Sequence, residues 1–191
     1  MSSAPILQVT EADYLAAERG ATERHEFLDG KAWAMSGGTH EHALVQINLA
    51  RALGNALADR PCFVHSADMR VKSELTGLFT YPDVSITCEP LRFLDARRDT
   101  LLNPTVIFEV LSDSTEAYDR GKKFDHYRRI ASITDYVLVS QHEVQVEHFR
   151  RQPDGGWSLH ILGPSQHLEV AGARIAVDDV YLKVFQPPEP A

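Results

Sequence analysis

The sequence predicts a mixed α/β fold, a single domain with helices flanking a mixed sheet, and three observations carry that prediction. Residues 104–111 form an almost unbroken apolar run, the pattern of a strand covered on both faces. Over residues 42–58 the apolar side chains Leu44, Ile47, Ala50, Leu53 and Leu57 recur three or four apart, one face of a helix of about four turns. Between and after these segments, strand-like and helix-like stretches alternate in the order helix, hairpin, helix, several strands, helix, strands. A chain of 191 residues has the size of one ordinary domain. We expect an N-terminal extension over residues 1–9, the domain over 10–185 and a proline-rich, flexible tail over 186–191.

Thr10 followed by Glu11 and Asp13 is a helix start, with a capping hydroxyl and carboxylates in the first turn, and leads into Tyr14 and Glu18. Residues 26–28 and 31–35 flank Asp29-Gly30, the dipeptide that supplies the positive φ angles of a two-residue hairpin turn. Residues 62–71, 82–88 and 104–111 read as strands. A polar stretch from Ser112 to Thr115 opens a helix ending near Ala131. Residues 136–140, 144–149 and 157–162 read as further strands, the last two joined at Pro153-Asp154-Gly155-Gly156. Residues 89–103 are long for a connection in a compact domain and are expected to form a mobile lid or a substrate contact.

Hydrophobic residues make up 43% and charged residues 24%, which excludes disordered, collagen-like and fibrous chains. No apolar run approaches the roughly 18 residues that span a bilayer, and Met1 to Pro5 lacks a basic leader segment. The expectation is a cytoplasmic protein without membrane contact. Cys62 and Cys88 have neither metal-type spacing nor a disulfide framework, and read as small buried hydrophobes in a reducing compartment. The net charge of −8 disfavours nonspecific duplex binding. Basic pairs at Arg97-Arg98, Lys122-Lys123, Arg128-Arg129 and Arg150-Arg151 still permit local phosphate contact.

Asp83 opens one predicted strand, and Glu109 sits inside the apolar strand Val106-Ile107-Phe108-Glu109-Val110-Leu111. Burying an unpaired carboxylate costs several kcal/mol, so Glu109 must be protonated, ion-paired or metal-bound. If the two strands are neighbours, Asp83 and Glu109 face each other. Two such charges about 4 Å apart repel by roughly 4 kcal/mol at an effective dielectric near 20, a cost that Mg²⁺ or Mn²⁺ turns into attraction. A buried ion pair with arginine or lysine satisfies Glu109 equally well. Lys123 shares a helical stripe with Asp119 and Tyr127, and either contacts a scissile phosphate and its attacking water or forms an ordinary surface pair with Asp119.

The blocks Tyr81-Pro82-Asp83-Val84-Ser85, Asn103-Pro104-Thr105 with Glu109-Val110-Leu111-Ser112, Ser114-Thr115-Glu116-Ala117-Tyr118-Asp119-Arg120-Gly121-Lys122-Lys123-Phe124 with Tyr127-Arg128, and Tyr136-Val137-Leu138-Val139 occur in this order. Together they closely resemble the Uma2 family of bacterial proteins, whose fold is that of the PD-(D/E)XK restriction endonucleases. The resemblance extends upstream to Glu26-Phe27-Leu28-Asp29-Gly30 and to His42. It implies a restriction-endonuclease-like sheet flanked by helices, with Asp83 and Glu109 as metal ligands, the Val110 carbonyl as a third and Glu26 extending the set. The lysine that the superfamily places two residues after the glutamate would fall at 111, where Leu111 stands. The resemblance assigns that role to Lys123 on the next helix, with Lys122 as the rival position. His42 matches a family histidine, expected at the mouth of the site to position Glu26 or a phosphate.

The implied function is Mg²⁺- or Mn²⁺-dependent hydrolysis of DNA phosphodiester bonds, by a homodimer where both strands of a duplex are cut. The alternative is a nuclease-fold module that binds nucleic acid or protein without hydrolysis, and a third possibility is hydrolysis of a small phosphate ester in an enclosed pocket. A basic groove converging on Asp83 would favour the enzyme over the binding module. Other motifs are weaker. His40 and His42 would stand roughly 200° apart on a helix and do not share a metal. Ser36-Gly37-Gly38 lacks the lysine of a phosphate loop, and Ser112, Ser114 and Thr115 lack a nucleophile elbow. Trp33 and Trp157 read as core or interface anchors.

Overall fold

The structure is a computed structural model that describes residues 9–35 and 37–185. The expectations for residues 1–8, for Ser36 and for the tail 186–191 lie outside the described residues. Helix α1 (Glu11–Glu18) begins at the Thr10 cap, whose side chain accepts from the Asp13 amide. Strands β1 (His25–Leu28) and β2 (Lys31–Ala34) form the expected hairpin, and Asp29 and Gly30 both take positive φ, 49° and 77°. This turn fixes the register Leu28↔Lys31, Phe27↔Ala32, Glu26↔Trp33.

Helix α2 (His40–Ala56) is present, but rotated from the expected face. It buries Val45, Asn48, Leu49 and Leu53, with Leu57 just beyond its end, while Ile47 is 61% exposed. The buried row is the i, i+4 series 45, 49, 53, 57, a stripe that the spacing of leucines and alanines alone did not single out. The segment read as one strand over 62–71 is two: β3 (Cys62–Ser66) and β4 (Arg70–Lys72) flank a turn at 67–69 and enter different sheets.

Short β5 (Phe79–Thr80) and β7 (Thr100–Leu101) bracket β6 (Val84–Cys88), and β8 (Val106–Leu111) follows. Residues 89–103 are not the expected lid. Phe93 bridges to Leu101, β7 pairs with β4, and Arg19 at the end of α1 holds Asp95 and Asp99, so the segment is tied into the fold. The expected helix near 116–131 is shorter and composite: α3 (Glu116–Tyr118), a π-helical turn over Asp119–Lys123, and α4 (Phe124–Tyr127). Strands β9 (Asp135–Ser140), β10 (Val146–Arg151) and β11 (Trp157–Leu162) follow as expected. A hairpin of β12 (His167–Val170) and β13 (Ala173–Ala176), with α5 (Val177–Val180), completes the order.

The main sheet runs β11-β10-β9-β8-β6-β3, with β8 and β9 parallel and the other neighbours antiparallel. Every residue of β8 is buried, as the apolar run predicts. Val106, Phe108 and Val110 pack toward Val45, Leu49 and Leu53 of α2, while Ile107 and Leu111 pack toward Tyr127, Ile130 and Tyr136 on the other face. A second sheet, β2-β1-β5-β4-β7, carries the hairpin beside the main one. The parallel pair β8–β9 requires a crossover, and the composite helix supplies it, so its inner face lies over Glu109.

One sequence expectation is overturned outright. Cys62 and Cys88 are directly opposite on the antiparallel pair β3–β6 and are joined by a disulfide. They read as isolated thiols because cross-strand opposition is set by the register of two strands, which their spacing does not reveal. Among the described residues no helix is long and apolar enough to cross a membrane.

Candidate active site

The chain brings all six expected residues together through five separate elements. Asp83 sits at the entrance to β6, Glu109 and Val110 on β8, Lys123 at the end of the π-helical turn and Glu26 on β1. His42, near the start of α2, closes the group on the side of Asp83. All six line one cavity of about 290 Å³, with Trp33, Tyr81, Tyr118 and Asp119 among its other walls.

Glu109 is where the local physics is most demanding. Strand β8 places it on the face covered by the crossover helix, leaving it 3% exposed. Lys123 Nζ lies 2.9 Å from its Oε1, and the Tyr127 hydroxyl donates to the same oxygen at 2.9 Å. Burial, reinforced by nearby Asp119 and Asp83, pushes the Glu109 carboxyl well above the ordinary range despite the Lys123 ammonium.

Lys123 is the hub. Besides Glu109 it lies 3.2 Å from Glu26 Oε1 and 3.4 Å from Asp119 Oδ1, and it is 5% exposed. Burial alone would favour the neutral amine, but Glu109, Glu26, the Tyr127 hydroxyl and Asp119 outweigh it and hold the group as an ammonium. The alternative of a surface pair with Asp119 is therefore excluded. Lys122 is exposed, which separates it from Lys123 as the site lysine. The π-helical turn keeps Asp119 and Lys123 on one side and directs both inward, a local departure from α-geometry of the kind that recurs at functional sites.

Asp83 is held differently. Its Oδ2 accepts the Val110 amide at 2.7 Å, and its Oδ1 lies 3.0 Å from His42 Nε2. The last β6–β8 pair is Val84↔Phe108, so the Val110 backbone lies past the end of strand pairing on that side, and the carboxylate of Asp83 occupies the place of the next strand residue. The N–H and C=O of one strand residue project to the same side, so the Val110 carbonyl is directed toward Asp83 as well. His42 therefore orients Asp83, whereas the sequence pointed to Glu26 or a phosphate. Burial disfavours its charged form, but the Asp83 contact outweighs this and raises its pKa. Gln46, one turn along α2, donates to the Asp83 carbonyl at 3.0 Å. Glu26 is buried and accepts the Thr80 hydroxyl across the β1–β5 sheet.

Two members of the site were not singled out as such by the sequence. Asp119 was treated only as a partner of Lys123, yet it is 2% exposed, and burial raises its pKa. Its place on the Lys123–Tyr127 stripe was the available signal. Trp33, expected as a core or interface anchor, is not in the core: it stands 37% exposed beside the cavity. The register Glu26↔Trp33, legible from the Asp29-Gly30 turn, places it there.

The donor set suits a hard divalent cation. Four carboxyl groups, Glu26, Asp83, Glu109 and Asp119, line the cavity with one ammonium and one imidazole, and the crowding and burial that disfavour ionisation of Glu109 and Asp119 are what a divalent cation would offset. Asp119 Oδ1 is buried and makes no hydrogen bond beyond its ion-pair contact. Among the described residues no three His, Cys, Asp or Glu side chains are gathered into a metal cluster, and Lys123 pairs with both Glu26 and Glu109. Two carboxylates with a backbone carbonyl would be ligands of the kind a water-rich magnesium shell takes. The basic pairs are directed elsewhere: Arg128 pairs with Asp125, Arg150 with Asp135, and Arg151 donates to backbone carbonyls. These contacts do not gather into a basic groove at Asp83, and among the described residues of the cavity wall Lys123 and His42 bring the cationic nitrogen.

Comparison with known proteins identifies the family and the fold. The family model Uma2, described as "Putative restriction endonuclease", matches residues 11–177. The Synechocystis protein slr1290 is 36% identical over 183 residues, covering 94% of each chain. A second Synechocystis protein, sll1609, is 33% identical over 168 residues, 87% of this chain and 95% of its own. Both carry the description "uncharacterized". The crystal structure of a "putative nuclease belonging to DUF820" from Anabaena variabilis superposes with a TM-score of 0.72 at 15% identity, covering 91% of this chain and 97% of that one. At that identity the likeness concerns the fold, a nuclease fold of mixed sheet and flanking helices. The family match runs from α1 to the start of α5: the chain belongs to the Uma2 family.

Proposed function

We propose that the chain is a Mg²⁺- or Mn²⁺-dependent nuclease that hydrolyses phosphodiester bonds of DNA. The observation that carries the proposal is the buried Lys123 ammonium held among Glu109, Glu26 and Asp119, with Asp83 across the same cavity. An ammonium in this position neutralises the charge that develops on a phosphoryl group under attack. Asp83 and Glu109, with the Val110 carbonyl and with Glu26 extending the set, would hold the cation. A divalent cation held there supplies polarisation of a phosphate oxygen and a lowered pKa for an attacking water. His42 fixes the carboxylate of Asp83, and Tyr127 fixes that of Glu109, so neither acid needs to reorganise when substrate arrives. One chain provides one such site, so cutting both strands of a duplex would take a homodimer.

A second reading, a nuclease-fold module that binds without hydrolysis, is favoured by the absence of a basic groove at the cavity. Calorimetric titration of Mn²⁺ into the wild type and Asp83→Ala, followed by incubation of both with plasmid and single-stranded DNA, tests the pair. Metal binding lost in the variant, with metal-dependent cleavage by the wild type alone, supports the nuclease. Binding without cleavage of any substrate supports the module, and no binding makes the acids structural and overturns the metal site.

A further inference from the structure

We infer that the candidate site takes an unpaired nucleotide, whose base stacks on Trp33, in preference to the intact duplex; the inference rests on the nuclease reading for the identity of the polymer. Trp33 is on β2, all four of whose residues are exposed at the outer edge of the second sheet. It is the cross-strand partner of Glu26, which itself touches Lys123, so the indole stands over the acidic end of the cavity. Tyr118 packs edge-to-face against it at 6.5 Å, and 37% of the tryptophan stays open to solvent. The Tyr118 hydroxyl is buried without a hydrogen-bond partner and belongs to the same wall. An exposed indole braced by a second aromatic is a stacking platform that serves any base.

The rest of the cavity argues the same way. The cavity of about 290 Å³ is at the lower end of sites that take small ligands, and a single nucleotide is of that size. Tracking a duplex relies on many Lys and Arg contacts to phosphates, and this wall offers Lys123 and His42 against four carboxylates in a chain of net charge −8. Recognition of a base by stacking needs no such groove. A base held in a duplex would first have to leave the stack, whereas an unpaired one is ready to enter.

The test uses fluorescein-labelled dT12, a blunt 20-base-pair duplex and fluorescence anisotropy, with wild type, Trp33→Ala and Trp33→Phe, first in Ca²⁺ and then as a cleavage assay in Mn²⁺. Circular dichroism confirms that each variant is folded. Wild type should bind dT12 at least tenfold more tightly than the duplex, Trp33→Ala should lose about tenfold for dT12 alone, and Trp33→Phe should keep most of the affinity. Equal affinity of wild type and Trp33→Ala for dT12, or cleavage of duplex as efficient as that of dT12 in both, overturns the inference and leaves the nuclease reading intact. Trp33-dependent binding of dT12 without cleavage in Mn²⁺ overturns hydrolysis and supports the stacking site. Absence of both binding and cleavage overturns both.

Discussion

Lys123 Nζ lies 2.9 Å from Glu109 Oε1, with both side chains buried. Neither charge would be stable there alone, so the crossover helix and the central strand specify each other's position as well as a chemical site. Truncating one partner of a buried pair leaves the other uncompensated, typically at a cost of about 3–5 kcal/mol.

Lys123→Met is therefore predicted to lower metal-free stability by that order, measured by urea unfolding in EDTA. Mn²⁺ should recover part of the loss, because a bound cation would take up the charge of the orphaned acids. If hydrolysis occurs, its rate should fall by about 100-fold or more while Mn²⁺ affinity is retained. A variant as stable and as active as wild type would show that the ammonium contributes to neither.

Glu109→Gln keeps the volume of the side chain and removes its charge. Because Glu109 is expected to ligate the cation directly, Mn²⁺ binding measured by calorimetry should become undetectable while the far-ultraviolet spectrum stays native. Glu109→Ala should also fold and fail to bind, with a further stability loss of about 2 kcal/mol from the vacated space. Normal Mn²⁺ affinity in either variant would place the metal elsewhere.

How much of this was legible in the sequence follows from the range of the forces involved. The Asp29-Gly30 turn is a local backbone requirement, and it fixed the hairpin and hence the pairing of Glu26 with Trp33. The fully buried β8 announced itself as an apolar run, and the carboxylate inside it announced the site. Family resemblance then selected Lys123, which burial distinguishes from Lys122. What stayed hidden depends on long-range register. His42 meets Asp83 only because α2 packs against β6, and Cys62 meets Cys88 only because β3 pairs with β6 in one particular alignment. The buried row of α2 was also misjudged, since the helix carries more than one apolar row and the sheet decides which is covered.

Gly30→Ala tests the hairpin. A φ of 77° strains any residue with a Cβ, so the variant should lose about 1 kcal/mol in urea unfolding. Asp29→Asn, which tolerates φ near 49°, should lose much less. Equal losses at both positions would mean that the turn is held by its surroundings instead of its own geometry.

The disulfide makes a separate prediction. It closes a segment with a sequence separation of 26, and constraint of the unfolded chain over such a loop is worth about 3 kcal/mol. Oxidised wild type should therefore unfold at higher urea than wild type in dithiothreitol, whereas Cys62→Ser/Cys88→Ser should be indifferent to the reductant. A thiol titration of denatured, unreduced protein that finds two free sulfhydryls would contradict the bond.

Asp135, remote from the cavity at the start of β9, supplies a pH dependence of known sign. Its carboxylate lies 2.6 Å from His148 Nε2 and accepts from Arg150 Nε at 3.0 Å and from Thr134 Oγ1 at 2.7 Å. Burial opposes ionisation, but these three contacts outweigh it and hold the pKa below the ordinary aspartate value of 3.8. The folded state thus binds a proton at Asp135 less readily than the unfolded chain does. The corresponding stability is fully present above the unfolded value of 3.8 and is lost as pH falls below it toward the lower folded value. Asp135→Asn should cost about 2 kcal/mol at neutral pH, since it removes the charge from a set of buried hydrogen bonds. The gap between wild type and variant in urea unfolding should then narrow between pH 5 and roughly pH 2, because protonated aspartic acid and asparagine make nearly the same neutral contacts. A gap of constant size across that range would mean that the loss comes from altered packing at the head of β9 and not from the ionised carboxylate.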